Sequence, residues 1–486
     1  MSKHLAFDLG AESGRAVIIN LDKQKVTMNQ LHRFPNRPTP LAGTLYWDFH
    51  FLFAEILHAL GICAEKNIKI DSIGVDTWGV DFGLLGPDGH LLASPVHYRD
   101  KRTDNIHQYS DKTLSTMDIF VETGCEPWQI SSLFQLLAMK KANSPLLQLA
   151  QTFLNMPDLI NYFLTGVKAC EKTIVSTANL MASDGNWSKK VIDAFGLPDI
   201  FHNLVEPATV LGLLSDQIAA KIGLDPIPVV ATCGHDTSAV VAAIPAAGKN
   251  WAFLSCGTWS ILGKLCQKPV TPPEALKNGF TNEYTIGSWF IGRNILGLWL
   301  IQELRRKWNT SADPWDYDRM TKEAANAHTD ALVDVNDSSL MAPPDMEKAL
   351  LELLKKLKQL TPDSKGQLIR TVLQSLALDY ACRLEMVNSL TKQPTDALYM
   401  VGGGVANKLL CQFTANACRI PVHAGVDQCT SLGNALTQAV ALGQLTGPDQ
   451  IRQIMRNSFQ LTTYQPQGNA AWTEKLQQYK QLKDVL

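Results

Sequence analysis

No Cys-x-x-Cys pair occurs among the ten cysteines, so the usual zinc-knuckle and redox-dithiol spacings are excluded. Ten scattered cysteines in 486 residues are also too few for a disulfide scaffold. They read as small buried side chains in a reducing compartment. No apolar run reaches membrane-spanning length. The opening MSKHLAFDLG meets Asp8 after only a few apolar residues, which does not fit a secretory signal. The expected location is the cytoplasm. An excess of one charge is missing as well: 44 basic residues face 46 acidic ones, for a net charge of −2. That balance lacks the footprint of a nucleic-acid binder, and 45% apolar against 19% charged residues excludes disorder. A small partner is expected, with no nucleic acid and no membrane. Oligomeric state is unreadable from the pattern.

No Gly-x-x-x-x-Gly-Lys-Ser/Thr loop and no His-Arg-Asp catalytic loop is present. Gly402-Gly403-Gly404 approaches a dinucleotide fingerprint, but Asn407 stands where its third glycine belongs. A Rossmann dehydrogenase is thereby disfavoured.

What is present is organised around two polar-tipped hairpins. Leu5-Ala6-Phe7 breaks at Asp8-Leu9-Gly10 and resumes as Arg15 to Ile19. Near mid-chain, Trp251 to Leu254 leads through Ser255-Cys256-Gly257-Thr258 into Trp259 to Gly263. Two such hairpins suggest two domains of related architecture, with a boundary near Pro245 (1–245 and 246–486) and the last residues able to pack back on the first domain. Length agrees, at roughly 150 residues per domain giving two large domains or three. Between and beyond the hairpins, strands (68–75, 226–231, 398–401) alternate with helices (133–149, 154–164, 237–244, 350–360, 372–390). That alternation indicates α/β layers.

The first hairpin tip, Asp8 to Arg15, fits a phosphate cradle. Its glycines let backbone N–H groups approach an anion, and Ser13 and Arg15 add donors. Asp8 would repel phosphate unless Mg²⁺ intervened through water, and Glu12 must point away or help the metal. The alternative is an ordinary turn with a capping Asp. Gly234-His235-Asp236-Thr237 sits at a strand-to-helix junction, where two readings stand for Asp236: a helix cap, or a general base toward a substrate hydroxyl. Gly402 to Gly404 would let a flat base lie on bare backbone, or simply makes a tight turn.

AFDLGAESGR, GVDTWGVDF, HYRDKRT, MPDLINYFLTG, GHDTSAV, LSCGTWSILG, RNILGLWLIQE and MVGGGVANKLLCQFTANA together resemble the FGGY carbohydrate kinases, over nearly the whole chain. The resemblance implies an α/β fold of two actin-like (ribonuclease H-like) domains flanking an ATP/sugar cleft, closing over ATP, Mg²⁺ and a ketose. Carried over by position, it implies that Ala11, Glu12, Ser13, Gly14 and Arg15 contact ATP, with Thr258, Gln302, Gly402, Gly403 and Gly404. It implies Gly79, His235, Asp236, Thr237 and Asn294 for the sugar, and Asp236 as proton acceptor. Trp78-Gly79 stands where glycerol kinases carry an Arg-Glu pair, which argues against glycerol. Cys233 and Cys256 depart from the small residues expected at their positions. Remaining alternatives are a family member for another ketose, or a non-metabolic actin-like ATPase.

Overall fold

A computed structural model describes residues 1–484. The chain divides into two compact units, and the division is not a single cut. The first comprises Met1–Pro245, Cys266–Ile291 and Cys429–Ser458. The second comprises Ala246–Leu265, Gly292–Gln428 and the chain from Phe459 onward. The boundary expected near Pro245 therefore marks only the first crossing. Residues 266–291 and 429–458 return to the first unit, whereas the final segment belongs to the second.

The first unit is built on a six-stranded sheet. Its order is Thr209–Leu213, Pro228–Ala231, Ser72–Thr77, Ser2–Leu9, Ser13–Asp22 and Lys25–Pro35. The opening hairpin pairs Ser2–Leu9 with Ser13–Asp22 antiparallel, and Asp8 faces Arg15 across it. Three neighbouring strands run parallel: Ser2–Leu9, Ser72–Thr77 and Pro228–Ala231. Parallel strands need both faces covered, which explains their near-continuous burial. Helix Phe49–Glu65 buries Leu52, Ile56, Leu60 and Cys63, a spacing of three to four residues that makes one apolar stripe. Asp48 caps it by accepting from the Phe51 N–H.

The second unit repeats the scheme. Five neighbouring strands of its seven-stranded sheet follow the order Trp259–Cys266, Trp251–Cys256, Ala397–Val401, Val422–Ala424 and Thr462–Tyr464. Again a hairpin leads, two parallel strands follow its first strand, and an antiparallel strand closes the series. The two hairpins of the sequence are thus equivalent elements of two sheets with one topology. Among the described residues, no helix is long and apolar enough to cross a membrane.

Several elements differ from expectation. The helices expected over 350–360 and 372–390 span Met346–Lys356 and Lys365–Thr391. The helix expected over 133–149 is two, Ser132–Lys141 and Pro145–Leu149. Asn143 takes a left-handed conformation between them, and Pro145 starts rather than continues a helix. The strand expected from Ile68 begins only at Ser72. Ile68 instead turns back, its N–H donating to the Cys63 carbonyl. The helix expected over 154–164 spans Met156–Thr165 and is preceded by a short strand, Thr152–Asn155.

Candidate functional site

In an open α/β sheet, ligands bind beyond the carboxyl ends of parallel strands. Here those ends carry acids. Asp8 and Asp76 are register partners near the ends of adjacent parallel strands. Thr77 bridges to His235, and its N–H donates to the Gly234 carbonyl at 2.8 Å, which sets Gly234-His235-Asp236 beside them.

The acids are held by one helix, Cys429–Ala441. Ser431 Oγ donates to Asp8 Oδ2 at 2.9 Å, and Asn434 Nδ2 donates to Asp76 Oδ2 at 2.6 Å. The helix comes close because Gly433 has no side chain: a Cβ there would stand 1.9 Å from the Ala239 carbonyl oxygen. Arg15 donates to Asp8 Oδ2 through Nε at 2.9 Å and Nη2 at 2.7 Å. The guanidinium expected to face phosphate thus also neutralises Asp8. Asp76 is fully buried, and its Oδ1 has no hydrogen-bond partner. Burial, then the nearby Asp8 and Asp236 carboxylates, push its pKa well above the usual range, against the lowering effect of Asn434 and Arg15. Glu12 is exposed, and its carbonyl accepts from the Asn36 N–H. Ala11 and Ser13 are half-buried at the hairpin tip, while Gly14 is buried against Phe34 and Leu9.

Asp236 opens helix Asp236–Ala242. Its Oδ1 accepts from the Thr237 N–H at 2.5 Å and from Thr237 Oγ1 at 3.2 Å, and it lies 3.3 Å from His235 Nε2. The side chain is 34% exposed. The N-cap position of this helix is His235, which makes no side-chain capping bond, so Asp236 bonds the adjacent N–H as the first helical residue and is not itself the N-cap. Burial raises its pKa, His235 opposes the rise, and Asp8 adds to it. The other ring nitrogen of His235, Nδ1, stands 3.0 Å from Glu283 Oε2. Burial works to lower the imidazole pKa, but Glu283, Asp236 and Glu171 together carry it above the ordinary value.

The backbone of this junction is clamped from below. Buried Glu171 accepts from the N–H groups of Gly234, Thr173 and Ile174 and from Thr173 Oγ1. Thr173 Oγ1 in turn accepts from the His235 N–H at 3.2 Å. Burial pushes Glu171 up to about 7 despite these donors.

Gly79 follows Ser72–Thr77 in a strained turn. Val80 has φ +69°, a left-handed conformation that a β-branched residue rarely adopts. Its N–H donates to Thr177 Oγ1 at 3.1 Å, and its carbonyl accepts from Ser132 Oγ at 2.6 Å. A Cβ on Gly79 would press on Thr177 at 3.1 Å. Buried Asp81 anchors the turn. Trp47 Nε1, Trp78 Nε1 and the Tyr98 N–H donate to Oδ2, and Gln135 Nε2 donates to Oδ1. Burial lifts Asp81 to about 6 against the pull of those donors. Such over-determined strain is typical of ligand-contacting turns.

In the second unit, the residues expected to hold a nucleotide converge locally. The Gly257 and Thr258 carbonyls accept from the N–H groups of Leu298 and Trp299, tying the hairpin tip to the start of helix Trp299–Trp308. Gln302 lies half-buried one turn into that helix. Gly402 has φ +85°, and a Cβ on Gly404 would sit 2.2 Å from Cys256 Sγ. The glycine turn thus lies directly on Cys256, which accounts for a buried thiol there. Tyr380 Oη and Ser260 Oγ, 2.8 Å apart, back the same strand. Asn294 is half-buried on Ser288–Leu296, in the part assigned to the second unit.

Sequence reasoning missed Asp76, Asp81, Glu171, Glu283, Ser431 and Asn434 as supports of this site. Asp76 and Asp81 lie within the quoted GVDTWGVDF, so position after a strand was the available signal. Nothing local marks the others. Among the described residues, no cluster of three or more His, Cys, Asp or Glu is arranged to hold a metal ion directly.

Comparison with known proteins gives this geometry its family. The sequence model of the FGGY family of carbohydrate kinases, N-terminal domain, matches residues 4–243, and the C-terminal domain model matches 252–442. The chain is 37% identical over 470 residues to a protein named rhamnulokinase from Bacteroides thetaiotaomicron, covering 96% of each chain. It is 33% identical over 467 residues to a rhamnulokinase from Halalkalibacterium halodurans, covering 96% of this chain and 99% of that one. In fold it is similar to a ligand-bound xylulose kinase from Lactobacillus acidophilus, with a TM-score of 0.85 at 16% identity, covering 100% of this chain and 98% of that one. With both domain models and full-length relatives in agreement, the chain belongs to the FGGY family of carbohydrate kinases.

Proposed function

We propose that this sugar kinase transfers the γ-phosphoryl group of ATP to the 1-hydroxyl of L-rhamnulose, giving L-rhamnulose 1-phosphate and ADP. The acceptor is carried by one observation: full-length similarity to several curated rhamnulokinases, from 30 to 37% identity. The role of each residue is argued from geometry.

Asp236 serves as proton acceptor. Its Oδ1 accepts from Thr237 and lies 3.3 Å from His235 Nε2, which leaves Oδ2 to take the hydroxyl proton as the new bond to phosphorus forms. Because the transferring phosphoryl group is loosely bonded, alignment and charge stabilisation outweigh base strength. Gly79, His235, Thr237 and Asn294 are proposed sugar contacts. The rigid turn around Val80 and Asp81 holds the Gly79 backbone in place for that role. Ala11 to Arg15, Thr258, Gln302 and Gly402 to Gly404 are proposed nucleotide contacts. Bare backbone at Gly402 to Gly404 suits close approach of the adenosine side.

Mg²⁺ is proposed as the cation that accompanies ATP. The mutual repulsion of Asp8, Asp76 and Asp236 and the unpartnered Asp76 Oδ1 fit a cation held nearby through water. Asp8 would hold it, with Asp76 behind. When bound, the ion neutralises phosphate charge. A cytoplasmic setting is proposed as well, since all ten cysteines are free thiols.

A coupled ADP-release assay over a panel of ketoses tests the acceptor. Slow sugar-independent turnover that L-rhamnulose strongly stimulates is expected. Stronger stimulation by L-fuculose, or rapid hydrolysis without sugar, overturns the reading.

A further inference from the structure

Both ring nitrogens of His235 face carboxylate oxygens: Nδ1 meets Glu283 Oε2 at 3.0 Å, and Nε2 meets Asp236 Oδ1 at 3.3 Å. A neutral imidazole has one N–H donor and one bare acceptor. In that state, the ring carries no charge to balance the two carboxylates beside it. Neither approach has hydrogen-bond geometry, and Nδ1 and Oε2 have no other hydrogen-bond partner, so it is the positive charge of the doubly protonated ring that the two carboxylates favour. His235 and Glu283 are both 9% exposed, so water cannot substitute for either partner.

We propose that Glu283 is a positioning residue for phosphoryl transfer: it holds His235 as an imidazolium beside Asp236 Oδ1. This rests on reading Asp236 as the proton acceptor. Glu283 comes from strand Phe280–Thr285, about fifty residues beyond the motif it serves. The arrangement has two consequences. The imidazolium keeps Asp236 ionised although other acids crowd it. With Thr237 bonded to Oδ1 and the imidazolium beside it, Oδ2 is the oxygen left for the sugar hydroxyl.

The charged and titratable groups acting on this pair come from several elements. They are Glu171 ahead of helix Lys172–Val175, Asp8 on the first strand, Asp76 on its parallel neighbour, and Tyr98. All four are acids, so none can replace the positive charge of His235. Glu283 is the carboxylate that secures that charge from the side away from Asp236.

The test combines one spectroscopic and one kinetic arm. In ¹⁵N-histidine-labelled protein, with the His235 signal assigned by its loss in His235→Gln, both ring nitrogens should carry protons at neutral pH. In Glu283→Gln, one should be bare. Glu283→Gln should lower kcat about tenfold and move the acidic limb of kcat/KM upward by about one pH unit, with KM for ATP unchanged. Glu283→Asp, which keeps the charge, should hold the limb near its wild-type position. In a His235→Gln background, Glu283→Gln should add little further loss.

A singly protonated His235 ring in the wild type overturns the proposal, as do additive losses in the double variant. If Glu283→Gln does not fold, the wild-type ring state and Glu283→Asp decide. The ring state is read without any sugar, so a wrong acceptor or a dispensable Asp236 leaves that arm intact and shows as failure of the kinetic arm alone.

Discussion

Asp236 bonds Thr237 through Oδ1, and its proposed role as proton acceptor falls to Oδ2. Replacing Asp236 with Asn retains an oxygen for the Thr237 N–H but removes the proton acceptor. Turnover should fall about 10²–10⁴-fold with ATP binding intact, measured by steady-state kinetics and nucleotide titration. Near-normal turnover would leave Asp236 only its bond to the Thr237 N–H at the start of the helix. Asp81 makes a different prediction, because every group bonded to it is a donor. Asp81→Asn sets an amide N–H₂ against one of those donors and should cost about 1–3 kcal/mol of stability. Its folded pKa of about 6 lies above the carboxylate's ordinary 3.8, so the folded state holds more protons between those values. Stability from this group therefore rises as pH falls from 6 toward 4, and is lost as pH rises through 6. Thermal unfolding across that window should show a flatter pH response in Asp81→Asn than in wild type. Asp8 and Asp236 were legible from strand-end motifs. Their supports were not, because Ser431 and Asn434 lie more than 350 residues from the acids they hold.

At the scale of elements, the hairpins and the Gly402–Gly404 turn are legible because glycine and alternation mark them. The strain at Val80 is not, since no sequence rule places a β-branched residue at positive φ. Ile68 and Ile70 mimic strand alternation, yet the ladder starts at Ser72, once the chain has completed its turn out of helix Phe49–Glu65. The glycine turn of the second unit yields its own prediction. Gly404→Ala drives a methyl group into Cys256 and must displace the turn. KM for ATP should rise about tenfold or more, equivalent to about 1.4 kcal/mol, while KM for the ketose stays near wild type. Matched losses for both substrates would show that the turn supports the fold at large instead of the nucleotide.

Across the whole molecule, one sheet topology occurs twice, and the sequence announces this through its two hairpins. What it conceals is how the chain is shared. Residues 429–458 lie beyond most of the second unit in sequence yet belong to the first, where Ser431 and Asn434 secure Asp8 and Asp76. The balanced net charge of −2 also takes on a meaning. Arg15 is already engaged by Asp8, which fits the proposal that donors for the phosphate chain come largely from backbone N–H groups and an accompanying cation. The most direct measurement is the structure of the product. After incubation with ATP, Mg²⁺ and L-rhamnulose, ³¹P–¹H correlation NMR should show phosphate on O1, formed in step with ADP. Phosphate on another oxygen, or ADP released without any phosphorylated ketose, would contradict a base at Asp236 directed to the 1-hydroxyl.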